Sequence, residues 1–362
     1  MSSPVQTIPY LHREITESIR EEIASGKIPV GSRLPSMNAL AKERKTSAFT
    51  IWRAVRPLVN EGLLESRGRL GMVVVEPKPK LSRVGIYYGA DVWNMQETTF
   101  YRVLHQELEK QLRSFSVSIN FLVDRRMEGQ PFEPDKELIR AVEERSIQGL
   151  IIPLANLQEM EWLKKLPVLK AVFGTAEVPW RVLKDSKKEM LAMLTSLKEQ
   201  GVRKVGILGS IPMEASVKHP WTMFYQAFIE TVADLGMETR NAWCVLPQEL
   251  LKPQELEEFG YDAFLRLWAN AERPEGIISV SDVAGKGSLT AIIQEQIAVP
   301  NDLKVVQYKN KGVGFFTPLP VTWMVTDETQ VAAALIDLIR RQVNEESVEE
   351  ALITGQIVSA HS

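Results

Sequence analysis

The chain has few of the residues that form covalent or metal cross-links. Among its 362 residues there is one cysteine, Cys244, and there are four histidines. One cysteine excludes an intramolecular disulfide, and the scattered histidines form no ligand cluster at metal spacing. The sequence therefore predicts neither a disulfide framework nor a structural metal site.

Long apolar runs are also missing. No run reaches the roughly 18 residues that a helix needs to cross a bilayer, and the N-terminal segment MSSPVQTIPYLHRE lacks the basic and then apolar layout of a signal peptide. We therefore expect a cytoplasmic protein with no membrane partner. With 44% hydrophobic and 25% charged residues, the chain has an ordinary globular composition. A prior of about 150 residues per domain predicts two or three domains.

Motifs of nucleotide-binding and hydrolytic enzymes are absent as well. The segments GILGSIP and GIYYGAD follow predicted strands but lack the G-x-G-x-x-G spacing, and there is no phosphate loop, H-E-x-x-H or nucleophile elbow. We predict no enzyme activity and no cofactor. The alternative is an α/β enzyme carrying a regulatory head. A cofactor bound to the purified protein would favour this alternative.

The charge is distributed unevenly along the chain. Residues 1–80 contain 13 Lys and Arg against 8 Asp and Glu, a net charge of +5, whereas the remainder contains 30 against 38, a net charge of −8. Attraction to phosphates supplies most sequence-independent DNA affinity. A basic module on an acidic body therefore suits contact with a polyanion at one end only.

The basic segment has the pattern of a winged helix-turn-helix. Ser36 and Ser47 are good N-caps for a second and a third helix, which a three-residue turn at 44–46 separates. The segment GLLESRGRLGMVVVEP reads as a β-hairpin wing. A first helix before them is indicated by apolar residues at spacings of three and four, namely Ile8, Leu11, Ile15, Ile19 and Ile23. We therefore predict a DNA-binding domain over residues 1–76 and an extended linker over residues 77–82.

After the linker, strand patterns alternate with amphipathic helices, which predicts a doubly wound α/β fold with parallel sheets covered on both faces. The pattern restarts midway, so residues 83–362 should form one effector domain of two subdomains with a cleft between them. We predict these subdomains over residues 83–176 plus 321–345 and over residues 177–320.

Both parts resemble known families. Residues 8–75 resemble the GntR family in the order EEIASGKIPVGSRLPS, LAKE, SAFTIWRAV and LVNEGLLESR. Residues 83 to about 345 resemble the effector domain of the LacI family, which is similar to periplasmic sugar-binding proteins, in RVGI, QGLIIP, KEQGVRKVGILG, PEGIISVSD and VPNDLKVVQY. The resemblance implies a regulator, typically a repressor, that binds double-stranded operator DNA as a homodimer. It also implies a small-molecule effector, typically a sugar or a sugar derivative.

Candidate DNA contacts lie on the face of the third helix opposite its apolar stripe. Arg53 can pair with guanine or a phosphate, and Phe49 can contact a thymine methyl, although Phe49 and Trp52 could instead pack against the second helix or the wing. The GntR family usually has arginine where this chain has Asn38, Ala48 and Trp52, so we expect a different operator. The predicted DNA-contacting residues are Ser36, Asn38, Lys45, Ser47, Phe49, Thr50, Trp52, Arg53, Arg67 and Arg69.

Candidate effector contacts lie where strands end, since doubly wound sheets bind ligands at the carboxyl ends of their strands. Asp282 matches the LacI-type pattern best, with helix capping as its alternative role, and Asp185 could be purely structural. Lys309 replaces a usual aspartate, so a standard pentose or hexose is in doubt, and a cleft that no longer binds a ligand is a further alternative. The predicted effector-binding residues are Tyr88, Asp91, Phe100, Asp185, His219, Trp221, Asp282, Tyr308 and Lys309.

Overall fold

The computed structural model describes most of the chain, namely residues 11–68, 71–75, 81–89, 99–124, 135–154, 157–174, 176–212, 220–249, 251–252, 255–313 and 315–359. Most of the predicted linker, residues 77–82, lies outside this description. The N-terminal domain consists of α1 (Leu11–Ala24), α2 (Met37–Glu43), α3 (Ala48–Asn60), β1 (Leu64–Ser66) and β2 (Met72–Val74).

The predicted winged helix-turn-helix is confirmed. The Ser36 hydroxyl accepts a hydrogen bond from the backbone N–H of Ala39 at 3.2 Å and caps α2, and Ser47 caps α3 in the same way. The buried hydroxyl of Thr16 donates to the Ala54 carbonyl at 2.8 Å, which fixes α1 against α3. Strands β1 and β2 pair antiparallel as the wing.

The remaining elements alternate between strands and helices as the sequence predicts. In the first half they are β3 (Arg83–Tyr88), α4 (Thr99–Ser114), β4 (Ser118–Val123), α5 (Lys136–Glu143), β5 (Gly149–Leu154), α6 (Leu157–Leu163), β6 (Leu169–Phe173), β7 (Arg181–Lys184) and α7 (Ser186–Glu199). In the second half they are β8 (Val205–Leu208), α8 (Pro220–Asp234), β9 (Cys244–Val245), α9 (Leu256–Trp268), β10 (Gly276–Ser279), α10 (Asp282–Gln294), β11 (Lys304–Asn310), β12 (Thr322–Thr326), α11 (Glu328–Val343), β13 (Ala351–Ile353) and β14 (Gln356–Val358).

The strands form two six-stranded sheets, as expected for a two-subdomain α/β domain. The first has the order β13, β7, β6, β5, β3, β4, and all its pairs are parallel. The second has the order β14, β12, β11, β10, β8, β9, and only its edge strand β14 is antiparallel. Helix α11 packs into the core of the first sheet through Val331, Leu335 and Ile339, although it lies late in the chain.

The structure differs from the predicted subdomain boundaries. Residues Arg181–Lys184 lie in the first sheet rather than the second, and Thr322–Thr326 lie in the second rather than the first. The chain therefore passes between the sheets at residues 185 and 327, and again at 354–355. Strand β7 is short and only Val182 in it is buried, so it gives little hydrophobic signal in the sequence.

Two helices of the second subdomain meet unusually closely. A Cβ atom at Gly260 in α9 would lie 1.8 Å from the Ala284 carbonyl oxygen, and one at Gly287 in α10 would lie 1.8 Å from the Glu257 carbonyl oxygen. Only glycine permits this approach of the two backbones. The contact fixes the first turn of α10, which carries Asp282, beside the end of β10.

No helix within the described ranges is long and apolar enough to cross a membrane. The same residues contain no group of three or more His, Cys, Asp or Glu side chains that could hold a metal ion.

Candidate functional site

The recognition helix α3 exposes an aromatic and basic face. Phe49 is 67% exposed and Trp52 is 48% exposed, so neither ring is buried against α2 or the wing. Their rings stack with centroids 6.1 Å apart, and the Arg56 guanidinium lies 5.3 Å from the Trp52 ring centroid. Arg53 is exposed beside them. The opposite face, with Ile51, is fully buried. The N-terminal part of the exposed face, with Phe49, is open to a groove of DNA, whereas Arg56 also lies against the effector domain.

Arginines of α1 and α3 lie near His12, at the start of α1. The pKa of His12 is lowered by partial burial and then by the positive charges of Arg53 and Arg13. The carboxylates of Glu143 and Glu144 oppose this shift. Arginines on this side of the domain can attract a phosphate backbone.

The other predicted DNA contacts occupy the surroundings of α3. Asn38 and Lys45 are exposed, and Lys45 has a positive φ of 51° in the turn between α2 and α3. The Ser47 hydroxyl is 2.8 Å from that of Thr50. In the wing, the Arg67 guanidinium pairs with Glu65 at 2.9 Å. Ser36 is exposed although its hydroxyl serves as a cap, and Arg69 lies outside the described residues.

A polar cluster joins the two subdomains where their strands end. Lys184, the last residue of β7 in the first sheet, donates a hydrogen bond to the Tyr308 hydroxyl on β11 of the second sheet. The Tyr308 hydroxyl also bonds to the Thr326 hydroxyl at the end of β12. The Lys184 ammonium lies 5.4 Å from the centre of the Phe100 ring. The cluster therefore spans the cleft at the carboxyl ends of strands from both sheets.

Acidic side chains surround this lysine. The Asp282 carboxylate accepts a hydrogen bond from the Asn310 amide at 3.0 Å, and Glu189 accepts one from the backbone N–H of Gly355 at 2.7 Å. The Glu328 carboxylate accepts from the Gly312 N–H at 3.1 Å. These groups come from α7, α10 and α11, so the carboxyl edges of both sheets contribute to the site.

Burial shifts the ionisation of the cluster toward its neutral forms. Burial lowers the pKa of Lys184, and the negative charges of Glu189, Asp282 and Glu328 oppose that shift. Burial also raises the pKa of Glu189, against the opposing charge of Lys184. The pKa of Tyr308 is raised well above its ordinary value, mainly by burial. The hydroxyl of Tyr308 therefore stays protonated and can donate a hydrogen bond.

Two buried oxygen atoms in this cluster have no hydrogen-bond partner among the described residues. They are Oε2 of Glu189, which is fully buried, and Oδ1 of Asn310, which is 6% exposed. Buried acceptors are almost always satisfied in folded proteins. If the cleft opens to a ligand, Oδ1 of Asn310 can accept a hydrogen bond from it, and Oε2 of Glu189 can donate when the carboxyl group is protonated or accept when it is ionised.

The structure brings three of the predicted effector residues into or beside this cluster, namely Phe100, Asp282 and Tyr308. Ser281 is the N-cap of α10 and its hydroxyl accepts from the Ala284 N–H. One oxygen of Asp282 also accepts from the Val283 N–H at the start of α10, at 3.0 Å, so Asp282 combines a bond to this helix end with its place in the cluster. Asp185 does cap a helix, since its carboxylate accepts from the Lys188 N–H at 3.0 Å.

The other predicted effector residues have different surroundings. Tyr88 is fully buried in the core of the first subdomain, where its ring packs against Phe121. Its side chain has a packing role, which the strand-end argument did not predict. Lys309 lies over the Trp323 ring at 4.5 Å, since alternate residues of β11 point to opposite faces. Asp91 and His219 lie outside the described residues, and Trp221 falls within α8 without a described side chain.

Sequence reasoning missed several members of the cluster, namely Lys184, Glu189, Asn310, Thr326 and Glu328. Each of them stands at the end of a strand or in the first turn of the following helix. Including the residue before Asp185 would have selected Lys184, and including the residue after Lys309 would have selected Asn310. Glu189 looks like an ordinary residue of an amphipathic helix, so its burial was not visible in the sequence.

Two family profiles match the chain. Residues 11–74 match the profile described as "Bacterial regulatory proteins, gntR family", and residues 194–359 match a "Periplasmic binding protein-like domain". Among curated proteins, the HTH-type transcriptional repressor PurR of Pasteurella multocida is 21% identical over 61% of this chain and 65% of its own length. This chain thus spans less than two thirds of that relative. Catabolite control protein A of Priestia megaterium is 20% identical over 87% of this chain and 94% of its own length.

Solved structures give the same fold. A LacI family transcription regulator from Clostridium acetobutylicum superposes with a TM-score of 0.59 at 17% identity, over 76% of this chain and 98% of its own. The lac repressor dimer bound to operator superposes with a TM-score of 0.60 at 11% identity, over 77% and 93%. These similarities establish the two-subdomain fold of the effector domain, and the matched proteins are named as transcription regulators rather than enzymes.

Proposed function

We infer that this chain, which joins a GntR-family DNA-binding domain to a LacI-type, periplasmic-binding-protein-like effector domain, is a ligand-responsive transcriptional repressor. The observation that carries the inference is the exposed face of α3, where Phe49, Trp52 and Arg53 have no place in the core. An exposed aromatic and basic stripe on a recognition helix suits base edges and phosphates. The named relatives are repressors, which supports repression as the outcome of binding.

We propose that the protein binds a two-fold operator as a homodimer. A single recognition helix reads only a few base pairs, and dimers of such domains read two half-sites at a fixed spacing. The operator should differ from the common GntR pattern because Asn38 and Trp52 stand where that family usually has arginine. Such a protein acts in the cytoplasm, where its operator lies.

We propose a sugar or a sugar derivative as the effector. The unpartnered oxygens of Glu189 and Asn310 can each bond to a hydroxyl group, and sugar hydroxyls supply donors and acceptors at close spacing. Lys184 can in turn donate to a ligand oxygen, and the half-buried Phe100 ring can stack on a CH face.

Two measurements test the proposal. Selection from a pool of random duplexes should enrich a palindromic site, and fluorescence anisotropy should then give two chains per site. A thermal-shift screen against sugars and sugar phosphates should find a stabilising compound, since a ligand at 100 times its dissociation constant stabilises by about 2.7 kcal/mol. Failure to enrich any site would reject the DNA-binding function, and one chain per full site would reject the dimer.

A further inference from the structure

The DNA-binding domain and the effector domain contact each other at the end of α5. Arg13 of α1 pairs with Glu143, and Arg56 of α3 lies 3.5 Å from the Glu144 carboxylate. The side-chain amide of Asn60 also donates a hydrogen bond to the backbone carbonyl of Glu144 at 3.2 Å. The acidic pair at the end of α5 therefore faces arginines of the DNA-binding domain.

Arg145 forms the reciprocal contact. Its guanidinium lies 2.9 Å from the Glu61 carboxylate and 3.7 Å from that of Glu17. Arg145 has a positive φ of 47° directly after the helix, a conformation that glycine or asparagine usually takes at this place. The same conformation follows α4, α10 and α11, so what distinguishes Arg145 is its pair of carboxylate partners on the other domain.

This contact lies on the side of α3 that should meet DNA. Trp52, Arg53 and Arg56 line one wall of a groove of about 860 Å³, and α5 with its following loop lines the other wall. Arg13 and Arg56 contact the end of α5 directly, so a DNA duplex cannot reach these two side chains while the effector domain forms the second wall. The C-terminal half of the recognition face is therefore covered in this arrangement.

We propose that the end of α5 is a docking surface that holds the DNA-binding domain in an inhibited orientation. In this orientation, Glu143 and Glu144 form ion pairs with arginines that would otherwise contact phosphates. Arg145 holds the contact in place through Glu61 and Glu17. Operator DNA competes with this surface for the same arginines. The proposal rests on the proposed function in one respect, because inhibition matters only if α3 binds DNA.

The contact is built to be reversible. The side chains in the pairs formed by Arg13 and Arg56 are 28–49% exposed, and exposed ion pairs are individually weak and screened by salt. When only a fraction of the protein is in the conformation that can bind DNA, the apparent affinity for DNA is reduced in proportion to that fraction. We therefore expect the docked orientation to lower DNA affinity by about two- to fivefold, an amount that a movement of α5 could relieve.

Arg145→Glu in the full chain separates docking from direct DNA contact. The substitution places a third carboxylate beside Glu61 and Glu17 and should release the domain, so affinity for a random-sequence duplex should rise about two- to fivefold. If Arg145 instead contacts phosphate, the same substitution lowers affinity and the proposal is rejected. Arg145→Lys keeps the positive charge and should bind as the unmodified protein does.

Lys136→Glu is the matched control, because it introduces the same negative charge at the exposed start of α5, away from the groove. Among the described residues, no ion pair links Lys136 to the DNA-binding domain, so DNA affinity should not rise. Small-angle scattering without DNA gives an independent measurement. Arg145→Glu should increase the radius of gyration, as should high salt for the unmodified protein. If the unmodified protein has the same radius of gyration at low salt as at high salt, docking is rejected even if the protein binds DNA.

Discussion

Lys184 and Tyr308 belong to different sheets, and the ammonium of the first donates a hydrogen bond to the hydroxyl of the second. The Tyr308 hydroxyl continues to Thr326, which directly precedes one of the segments where the chain passes between the subdomains. This bond joins the two walls of the cleft within a single protein chain. A ligand that replaced Tyr308 as the acceptor of this hydrogen bond would separate the two walls, and we propose that ligand binding changes the angle between the subdomains in this way.

Tyr308→Phe should destabilise the effector domain. The ring is almost fully buried and is retained, but the buried Thr326 hydroxyl and the Lys184 ammonium lose a partner. Leaving a buried polar group unsatisfied costs about 1–3 kcal/mol, which urea unfolding of the effector domain should detect. Tyr261→Phe, on the half-buried face of α9, is the matched control. An equal loss in both variants would contradict a specific role for the Tyr308 hydroxyl.

Asp282→Ala should abolish the response to the effector and leave DNA binding intact. Asp282 lies in the polar cluster and bonds to Asn310, whereas the recognition helix belongs to a different domain. We expect effector-free operator affinity to stay within about threefold, and the effector to lose its coupling of about 5- to 150-fold. Anisotropy on a labelled operator measures both quantities. Asp262→Ala, exposed on α9, should respond like the unmodified protein, and a full response by the Asp282 variant would remove this residue from the site.

Arg53→Ala should weaken operator binding by about 1–3 kcal/mol if the guanidinium contacts a base edge. The side chain is exposed next to Trp52 and packs against no core residue, so folding should be unaffected. Anisotropy on operator and on random DNA separates the two kinds of contact, because a phosphate contact is lost equally on both. Lys27→Ala removes one exposed positive charge of the same domain at a site away from α3, and should have the smaller effect.

Glu189→Gln should change how stability depends on pH. Burial raises the pKa of Glu189 above its ordinary value of 4.5, so the folded state holds this proton more tightly than the unfolded chain does. The resulting stabilisation is fully present below pH 4.5 and is lost as pH rises through the raised pKa. Glutamine does not titrate. The free energy of unfolding of the variant, relative to the unmodified protein, should therefore increase with pH, by at most about 1.4 kcal/mol per pH unit.

Urea unfolding between pH 4 and pH 8 measures this difference. Glu199→Gln, the same substitution at the exposed end of the same helix, provides the comparison. A difference curve for Glu189→Gln that is as flat as that for Glu199→Gln would show that burial of the carboxyl group contributes no pH-dependent stability.

Local signals in the sequence were enough to predict most of the fold. The caps at Ser36 and Ser47 and the apolar spacing of α3 depend on neighbouring residues, so the winged helix-turn-helix was predicted in detail. The subdomain boundaries were wrong because they depend on strand order. The residues of Thr322–Thr326 and their neighbours in the chain do not show which sheet this strand joins. The assignment follows from its pairing with β11, whose last residue lies twelve positions before Thr322.

The candidate site was predicted less completely, for a related physical reason. Strand ends identified Tyr308 and Asp282 because both subdomains obey the same rule for parallel sheets. The rule gives the position of a residue along its strand and not the direction in which its side chain points. It therefore also selected Tyr88, whose ring is buried in the core, and Lys309, which lies over Trp323. Glu189 and Lys184 meet only after both subdomains have formed, and their pairing leaves no periodic trace in the sequence.

Both sheets are closed at one edge by strands β13 and β14, which follow α11 in the chain and are separated by only two residues. During synthesis, residues 11–75 have left the ribosome and can fold long before these strands exist, since domains generally fold as units from the N-terminus. The first sheet lacks its edge strand until residue 353 has been translated, and the second sheet lacks its edge strand until residue 358 has been translated. A nascent or prematurely terminated chain would therefore present a finished DNA-binding domain on an unfinished sensor, and its occupancy of DNA would not depend on the effector.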